Sequence, residues 1–261
     1  MARYFDVHPT DPQPRAVAQV VQMLRDDAVI AYPTDSMYAL GTRMENHDGA
    51  DRIRRIRHLD DKHHFTLVCS DFAQLGQLVH LDNSAFRAIK SATPGPYTFI
   101  LPATPEVPRR LAHDKKRSVG VRIPDDPVTS AILRELGEPL LSSSLLMPGH
   151  DWPMTEGWQI TEELDDLLDA VVDAGDRGTT PTTVVDWTSG APEVVRVGAG
   201  DPARFRGARC PIGTCRPRPP AWLPPPSHTA RPLPPEPGAH LSRVPPTGLD
   251  AVLGRARQLI P

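Results

Sequence analysis

Within the stretch Pro33-Thr34-Asp35-Ser36-Met37-Tyr38-Ala39-Leu40-Gly41, five positions carry two hydroxyls, a carboxylate and a phenol. The cluster follows a short apolar run, Val29-Ile30-Ala31-Tyr32, which reads as a buried strand that the proline stops. Open α/β sheets place ligands beyond the carboxyl ends of their strands. An ordinary Thr/Asp/Ser turn has the same composition, so both readings stand at this point.

Two basic clusters offer anion chemistry. One holds Arg52, Arg54, Arg55, Arg57 and Lys62, with His58, His63 and His64 among them. On a helix, Arg54 and Arg57 share a face, as do Arg52 and Arg55. The other holds Arg109, Arg110, Lys115, Lys116 and Arg117 and leads into Val119-Gly120-Val121-Arg122-Ile123-Pro124. Guanidinium forks suit phosphate and carboxylate oxygens, although charge runs also serve as plain solvated faces. Arg122 differs from the rest because it closes an apolar strand. Ser142, Ser143 and Ser144 put three hydroxyls at another strand end, ahead of the Pro148-Gly149 turn. Pro181-Thr182-Thr183-Val184-Val185-Asp186 and Val194-Val195-Arg196-Val197-Gly198-Ala199-Gly200 complete the set. The chain has no Walker loop, no dinucleotide fingerprint, no HExxH and no nucleophile elbow. A bound nucleotide would therefore rest on scattered arginines, hydroxyls and backbone groups.

The elements that must position these residues alternate. Helices fit Arg15–Arg25, Gly49–Arg57, Asp71–Leu75 with Gly76 as its stop, Ser84–Ile89, Pro127–Leu136 with Gly137 at its end, and Thr161–Leu168 capped by Thr161. Strands fit Val29–Tyr32, Thr66–Cys69, Tyr97–Leu101, Val119–Arg122, Leu140–Ser143, Val171-Val172, Thr183–Asp186 and Val194–Val197. This alternation predicts one α/β domain over residues 1–207 with a twisted, open, mixed sheet.

The last 54 residues differ in kind. They hold 14 of the 31 prolines and a net charge of +5 (7 basic, 2 acidic), against −8 for residues 1–207 (22 basic, 30 acidic). Cys210–Pro246 has few large apolar residues and no period, so 208–261 is read as a Pro-rich, basic, disordered tail, with a short helix-like pattern through Leu249, Val252, Leu253 and Ile260. No second ligand pair gives Cys210 and Cys215 zinc spacing, and no metal site is assigned. An odd number of cysteines, three, argues against a disulfide framework, and Cys69 sits in an apolar run. No stretch is long and apolar enough to span a bilayer, and the N-terminus lacks a signal-peptide core, so a cytoplasmic protein is expected. The acidic body weakens a simple nucleic-acid-binding reading.

Taken in order, PTDSMYALG (33–41), the Arg-rich helix entering HHFTLVC (63–69), TPGPYTFIL (93–101), SVGVRIPDDP (118–127), LLSSSLLMPG (140–149), PTTVVD (181–186) and VVRVGAG (194–200) resemble the YrdC-like family of threonylcarbamoyl-AMP synthases. The resemblance covers roughly residues 8–207. It implies a twisted sheet with a large concave cavity, in which L-threonine, bicarbonate and ATP are joined into threonylcarbamoyl-AMP for the t6A modification of tRNA, with Mg²⁺ accompanying ATP. By position, Thr34, Asp35 and Tyr38 would line the amino-acid side. Arg57 would stand for the lysine of the Lys-x-Arg signature, and Arg122 would meet a carboxylate or phosphate. Ser144, with Ser142 and Lys62 nearby, and Arg196 would serve the nucleotide. Thr34 and Arg57 are the candidates for catalysis, and Arg109, Arg110, Lys115 and Lys116 those for double-stranded RNA or tRNA. The chain departs from the pattern at Leu59, Leu146 and Asp126, in the places of the second signature base, the asparagine of Ser-x-Asn and a histidine. These departures are similar to those of the YciO branch, which PTDSMYALG and LLSSSLLMPG also match. The implied alternative is a YciO-type nucleotide- or RNA-binding protein with little synthase activity, as a monomer or homodimer. A further possibility is that the Pro-rich tail recruits a partner through polyproline recognition.

Overall fold

The structure is a computed structural model that describes residues 1–60, 64–149 and 153–205. Lys62, Cys210, Cys215, the terminal helix-like pattern and the proposed disordered tail lie outside the described residues. The first helix, α1 (Pro14–Arg25), forms because Val17, Val20, Val21 and Leu24 recur at helical spacing and all four are buried. Pro14 occupies its first turn, where a missing N–H costs nothing. The other helices are α2 (His47–Arg57), α3 (Phe72–Leu78), α4 (Asn83–Ala92), α5 (Pro127–Leu136) and α6 (Gly157–Leu164). Asn46, Asp71, Asp82 and Asp126 cap α2, α3, α4 and α5 through their side chains.

Among the described residues, ten strands form one mixed sheet: β1 (Arg3–Asp6), β2 (Ile30–Tyr32), β3 (Ala39–Arg43), β4 (Thr66–Val68), β5 (Tyr97–Pro102), β6 (Ser118–Arg122), β7 (Leu140–Ser144), β8 (Ala170–Asp173), β9 (Thr183–Asp186) and β10 (Glu193–Arg196). Their spatial order is β1-β8-β2-β3-β7-β4-β6-β5-β9-β10. One face buries Leu40, Leu67, Phe99, Val121, Leu141 and Val185 against α2, α3, α4 and α6. The other face is covered over only part of its width. There Tyr32, Ala39, Val68, Leu140 and Val172 pack against α1 and α5. Farther along this second face the register sets Thr66 beside Ser142 and Gly120, Arg122 beside Val68, and Thr98 beside Val184, itself beside Arg196. Successive residues of a strand alternate faces, so these polar side chains share the surface that α1 and α5 leave uncovered.

The expected α/β class and mixed sheet are present, and several boundaries move. α3 runs through Gly76 to Leu78. A Cβ at Gly76 would meet nothing within 4 Å, so the helix carries an exposed glycine while Leu75 and Leu78 bury beneath it. α6 begins four residues before Thr161. The Thr161 hydroxyl donates to the Gly157 carbonyl inside the helix, 3.0 Å away, and caps nothing. β3 is a strand over Ala39–Arg43, where the sequence pattern assigned no element. Antiparallel pairing of Ile30 with Gly41 brings the Tyr32 ring over Gly41, where a Cβ would lie 2.7 Å from Cε1. The strand therefore depends on a residue that weakens strand propensity.

Candidate functional site

Residues 33–38 form the connection between β2 and β3. Thr34 is buried, and its hydroxyl builds the turn itself. It donates to the Met37 carbonyl at 2.6 Å and accepts from the Ser36 and Met37 N–H groups, both at 3.3 Å. Asp35 leaves the turn and forms an ion pair with Arg122, side chains 9% and 7% exposed. The second Asp35 oxygen accepts from the Asp125 N–H at 3.0 Å, and Arg122 also reaches the Ser36 hydroxyl at 3.4 Å. The Tyr38 hydroxyl lies 3.0 Å from Asp173 Oδ1 and 2.9 Å from the Gly175 carbonyl. Burial, followed by the repulsion of a phenolate by Asp173, pushes this phenol above its ordinary range, so it stays neutral. The structure thus brings Asp35 and Arg122 together. It places the Thr34 and Tyr38 hydroxyls in internal hydrogen bonds beneath them.

A second group, from which Arg196 stands apart on β10, gathers at the end of β7. Arg57, from the last turn of α2, donates through Nε to the Leu146 carbonyl at 2.9 Å and through Nη1 to the Ser143 hydroxyl at 2.7 Å. It also donates to the Ser144 carbonyl. All three partners are neutral. Burial alone pushes the Arg57 guanidinium down to about 10, because no carboxylate offsets the desolvation. Ser144 serves through its carbonyl. Ser142 lies inside the sheet, its hydroxyl 2.7 Å from the Tyr32 hydroxyl and 3.1 Å from the Leu40 carbonyl. Arg196 donates to the Thr182 carbonyl at 3.1 and 3.0 Å and to its hydroxyl at 3.2 Å. Desolvation and then Arg122 lower its pKa; Arg196 is an exposed residue, so that desolvation is partial. Arg196 and Arg122 therefore lie within electrostatic reach on one face.

The remaining basic candidates lie elsewhere. Arg109 and Lys115 are exposed. Arg110 donates to the Met44 carbonyl at 2.6 Å, and burial followed by Arg54 lowers its pKa. Lys116 pairs with Asp186 at 3.4 Å. The rings of His64 and His113 stand 4.8 Å apart, so the two sequence-distant basic clusters meet at one surface.

Sequence reasoning missed two contributors, Asp173 and Arg177, and gave no binding role to Asp126 or Ser143. Asp173 accepts from Tyr38, from Tyr4 and from the Gly175 N–H at 2.8 Å. Its only sequence signal is an acid closing an apolar strand. Asp126 caps α5 through Thr129 N–H at 2.8 Å and meets Arg177 at 3.3 Å. Among the described residues no group of three or more His, Cys, Asp or Glu side chains is placed to hold a metal ion. Asp35, the acid nearest the arginines, is committed to Arg122. Magnesium enters below only as part of the substrate MgATP.

The profile of the Sua5_yciO_yrdC family, described as "Telomere recombination", matches residues 22–198. The uncharacterised protein YciO of Escherichia coli (strain K12) is 45% identical over 205 residues, which cover 78% of this chain and all of that protein. Its crystal structure superposes with a TM-score of 0.76. A threonylcarbamoyl-AMP synthase of Bacillus subtilis is 29% identical over 190 residues, covering 72% of this chain and 54% of that enzyme. The crystal structure of P. abyssi Sua5 complexed with L-threonine has a TM-score of 0.69 at 22% identity, covering 75% of this chain and 57% of that one, and bears on the fold alone. No helix among the described residues is long and apolar enough to cross a membrane. With a family profile spanning most of the domain and a full-length relative at 45% identity, the chain belongs to the Sua5–YciO–YrdC family.

Proposed function

We propose that the protein is an ATP-dependent adenylate-forming enzyme of the threonylcarbamoyl-AMP synthase type, acting on L-threonine, bicarbonate and MgATP in the t6A modification of tRNA. The observation that carries this reading is the contrast between its guanidiniums. Arg57 and Arg196 are held on neutral acceptors with their charges unspent, whereas Arg122 is neutralised by Asp35. Unpaired, partly desolvated guanidiniums suit phosphate oxygens. The neutral Asp35–Arg122 pair suits a zwitterionic amino acid, whose carboxylate can share Arg122 and whose ammonium can share Asp35.

In the reaction the threonine amine loses a proton and bonds to the carbon supplied by bicarbonate, which leaves water. A carbamate oxygen then bonds to the α-phosphorus of ATP while the bond to pyrophosphate breaks. The contribution of this chain is placement and charge. Arg122 and Asp35 orient the amino acid. Arg57 and Arg196 neutralise the phosphates on fixed dipoles, which supplies rate without reorganisation. B. subtilis threonylcarbamoyl-AMP synthase, a relative over most of the domain, supports the reading. The test is direct: incubate the full chain with MgATP, L-threonine and bicarbonate, and measure pyrophosphate and the adenylate. Turnover no higher than a protein-free control defeats the proposal.

A second reading draws on the meeting of the two basic clusters, at which the His64 and His113 rings lie 4.8 Å apart. That face would dock the phosphate backbone of double-stranded RNA or tRNA. Arg109→Glu with Lys115→Glu should weaken binding and lower the salt dependence by about one unit per lost phosphate contact. An unchanged salt slope removes this surface from consideration.

A further inference from the structure

Segment 174–181 links β8 to β9 and crosses the 33–38 turn. Its ends are fixed. The Gly175 N–H donates to Asp173 at 2.8 Å, and Gly175 takes a left-handed φ of 81° that a side chain would disfavour. At the far end the Pro181 carbonyl accepts from the Ala199 N–H at 2.9 Å. The middle lies against the turn, where a Cβ on Gly178 would stand 2.7 Å from the Ser36 carbonyl. Asp176, Gly178, Thr179 and Thr180 are exposed, so packing does little to hold this span.

Arg177 is the exception. Its guanidinium meets Asp126 Oδ2 at 3.3 Å, with side chains 16% and 5% exposed. Its backbone N–H donates to the Thr155 carbonyl at 2.8 Å. Asp126 is rigid, because its other oxygen caps α5. The neighbouring Asp125 N–H holds Asp35. One dipeptide, Asp125-Asp126, thereby grips both the strap and the carboxylate that neutralises Arg122.

We infer that Arg177 is a positioning residue for the amino-acid end of the site: its ion pair with Asp126 latches the 174–181 strap onto Ser36 and fixes the Asp35–Arg122 pair beneath it. This rests on the amino-acid reading proposed above, and the two are separated by the choice of measurement. In the full chain without ligand, hydrogen exchange of the peptide 33–40 reports the latch alone. Arg177→Ala should speed it about tenfold or more, the scale of a lost charge-assisted hydrogen bond. Asp126→Asn, which keeps a capping oxygen and removes the charge, should do the same. The double variant should add nothing further, and Arg177→Lys should be intermediate. Exchange at 33–40 unchanged in both single variants, with the fold intact, overturns the inference. In turnover, Arg177→Ala should raise half-saturation by L-threonine about tenfold while leaving that for ATP unchanged. If wild type responds to L-threonine and Arg177→Ala responds identically, the inference is likewise overturned. A wild type indifferent to L-threonine defeats the substrate reading instead, and the exchange result still decides the latch.

Discussion

Replacing Arg57 by methionine should separate function from stability. Burial pushes this guanidinium down to about 10, well below its ordinary range, with no opposing carboxylate. Each such pH unit corresponds to about 1.4 kcal/mol, so keeping the cation in place at neutral pH costs the fold roughly 3 kcal/mol, an upper bound that water penetration reduces. The sign follows from the direction. A cation whose folded pKa lies below its unfolded value destabilises the fold wherever it is charged, and the penalty fades only as pH rises through about 10 towards the unfolded value. Against this stand the hydrogen bonds to Leu146, Ser143 and Ser144, each worth on the order of 1 kcal/mol net.

The two sums nearly cancel. Arg57→Met should therefore leave the thermal midpoint within a few degrees of wild type at pH 7, since about 1 kcal/mol moves a domain of this size by roughly 2–4 °C. Nucleotide binding should respond far more. A charge-assisted contact to phosphate is worth about 1.5–3 kcal/mol, which is roughly 10- to 150-fold in affinity. Calorimetric titration with MgATP beside a thermal melt tests both halves. A variant that binds MgATP as wild type does, but melts many degrees lower, would show that Arg57 only props up the end of β7. The phosphate assignment would then fall.

Other substitutions probe the frame around the site. Tyr38→Phe removes a hydroxyl that Asp173, Gly175 and Ala174 share and should cost about 1–3 kcal/mol, read in urea titration; a midpoint shift under a few tenths of a kcal/mol contradicts the network. Gly41→Val places a branched side chain where even a Cβ lies 2.7 Å from the Tyr32 ring, and should cost about 1–3 kcal/mol or more; wild-type stability would mean that the β2–β3 pairing is looser than it stands. Burial pushes the Cys69 thiol well above its ordinary value. With Cys210 and Cys215 replaced by serine, an aromatic disulfide reagent should therefore modify the native protein slowly at pH 8 and rapidly only in denaturant. Fast native labelling would refute the burial.

Sequence periodicity located the elements whose apolar positions face one way. α1 and α5 carry four and more buried residues at helical spacing, and both stand near their expected limits. β6 and β9 likewise combine branched residues with flanking breaks. What escaped was set by partners far along the chain. β3 is held by its neighbours β2 and β7 and tolerates Gly41 only because a ring covers it. α6 starts where Gly157 passes so close to Asp173 that a Cβ would sit 2.4 Å from the Asp173 Cβ, a constraint no local pattern carries. At the site, the residue types were legible in the sequence and their partners were not. Asp35 and Arg122 are 87 residues apart, and Arg57 and Ser143 are 86 apart. Nothing in their local spacing says that the first pair cancels its charge and the second does not.

That difference also gives the three departures from the synthase pattern a physical meaning. Leu146 lacks the asparagine amide, yet its carbonyl still receives Arg57. Leu59 lacks a cation; it lines a depression with Asp51, Arg54, Arg55 and His58, at the outer end of α2. Asp126 adds a carboxylate, and Arg177 balances it. Arg122 is paired with Asp35 and Arg177 with Asp126, so the formal charges cancel within each of these two ion pairs. Arg57 and Arg196, by contrast, rest on neutral acceptors. On the proposed function, phosphate oxygens therefore gain most at Arg57 and Arg196. A zwitterion loses least between Asp35 and Arg122, because desolvating a balanced pair beside a balanced ligand leaves no net charge buried. On the proposed function, where the amino acid and where the phosphates are held thus follows from which arginines have acidic partners.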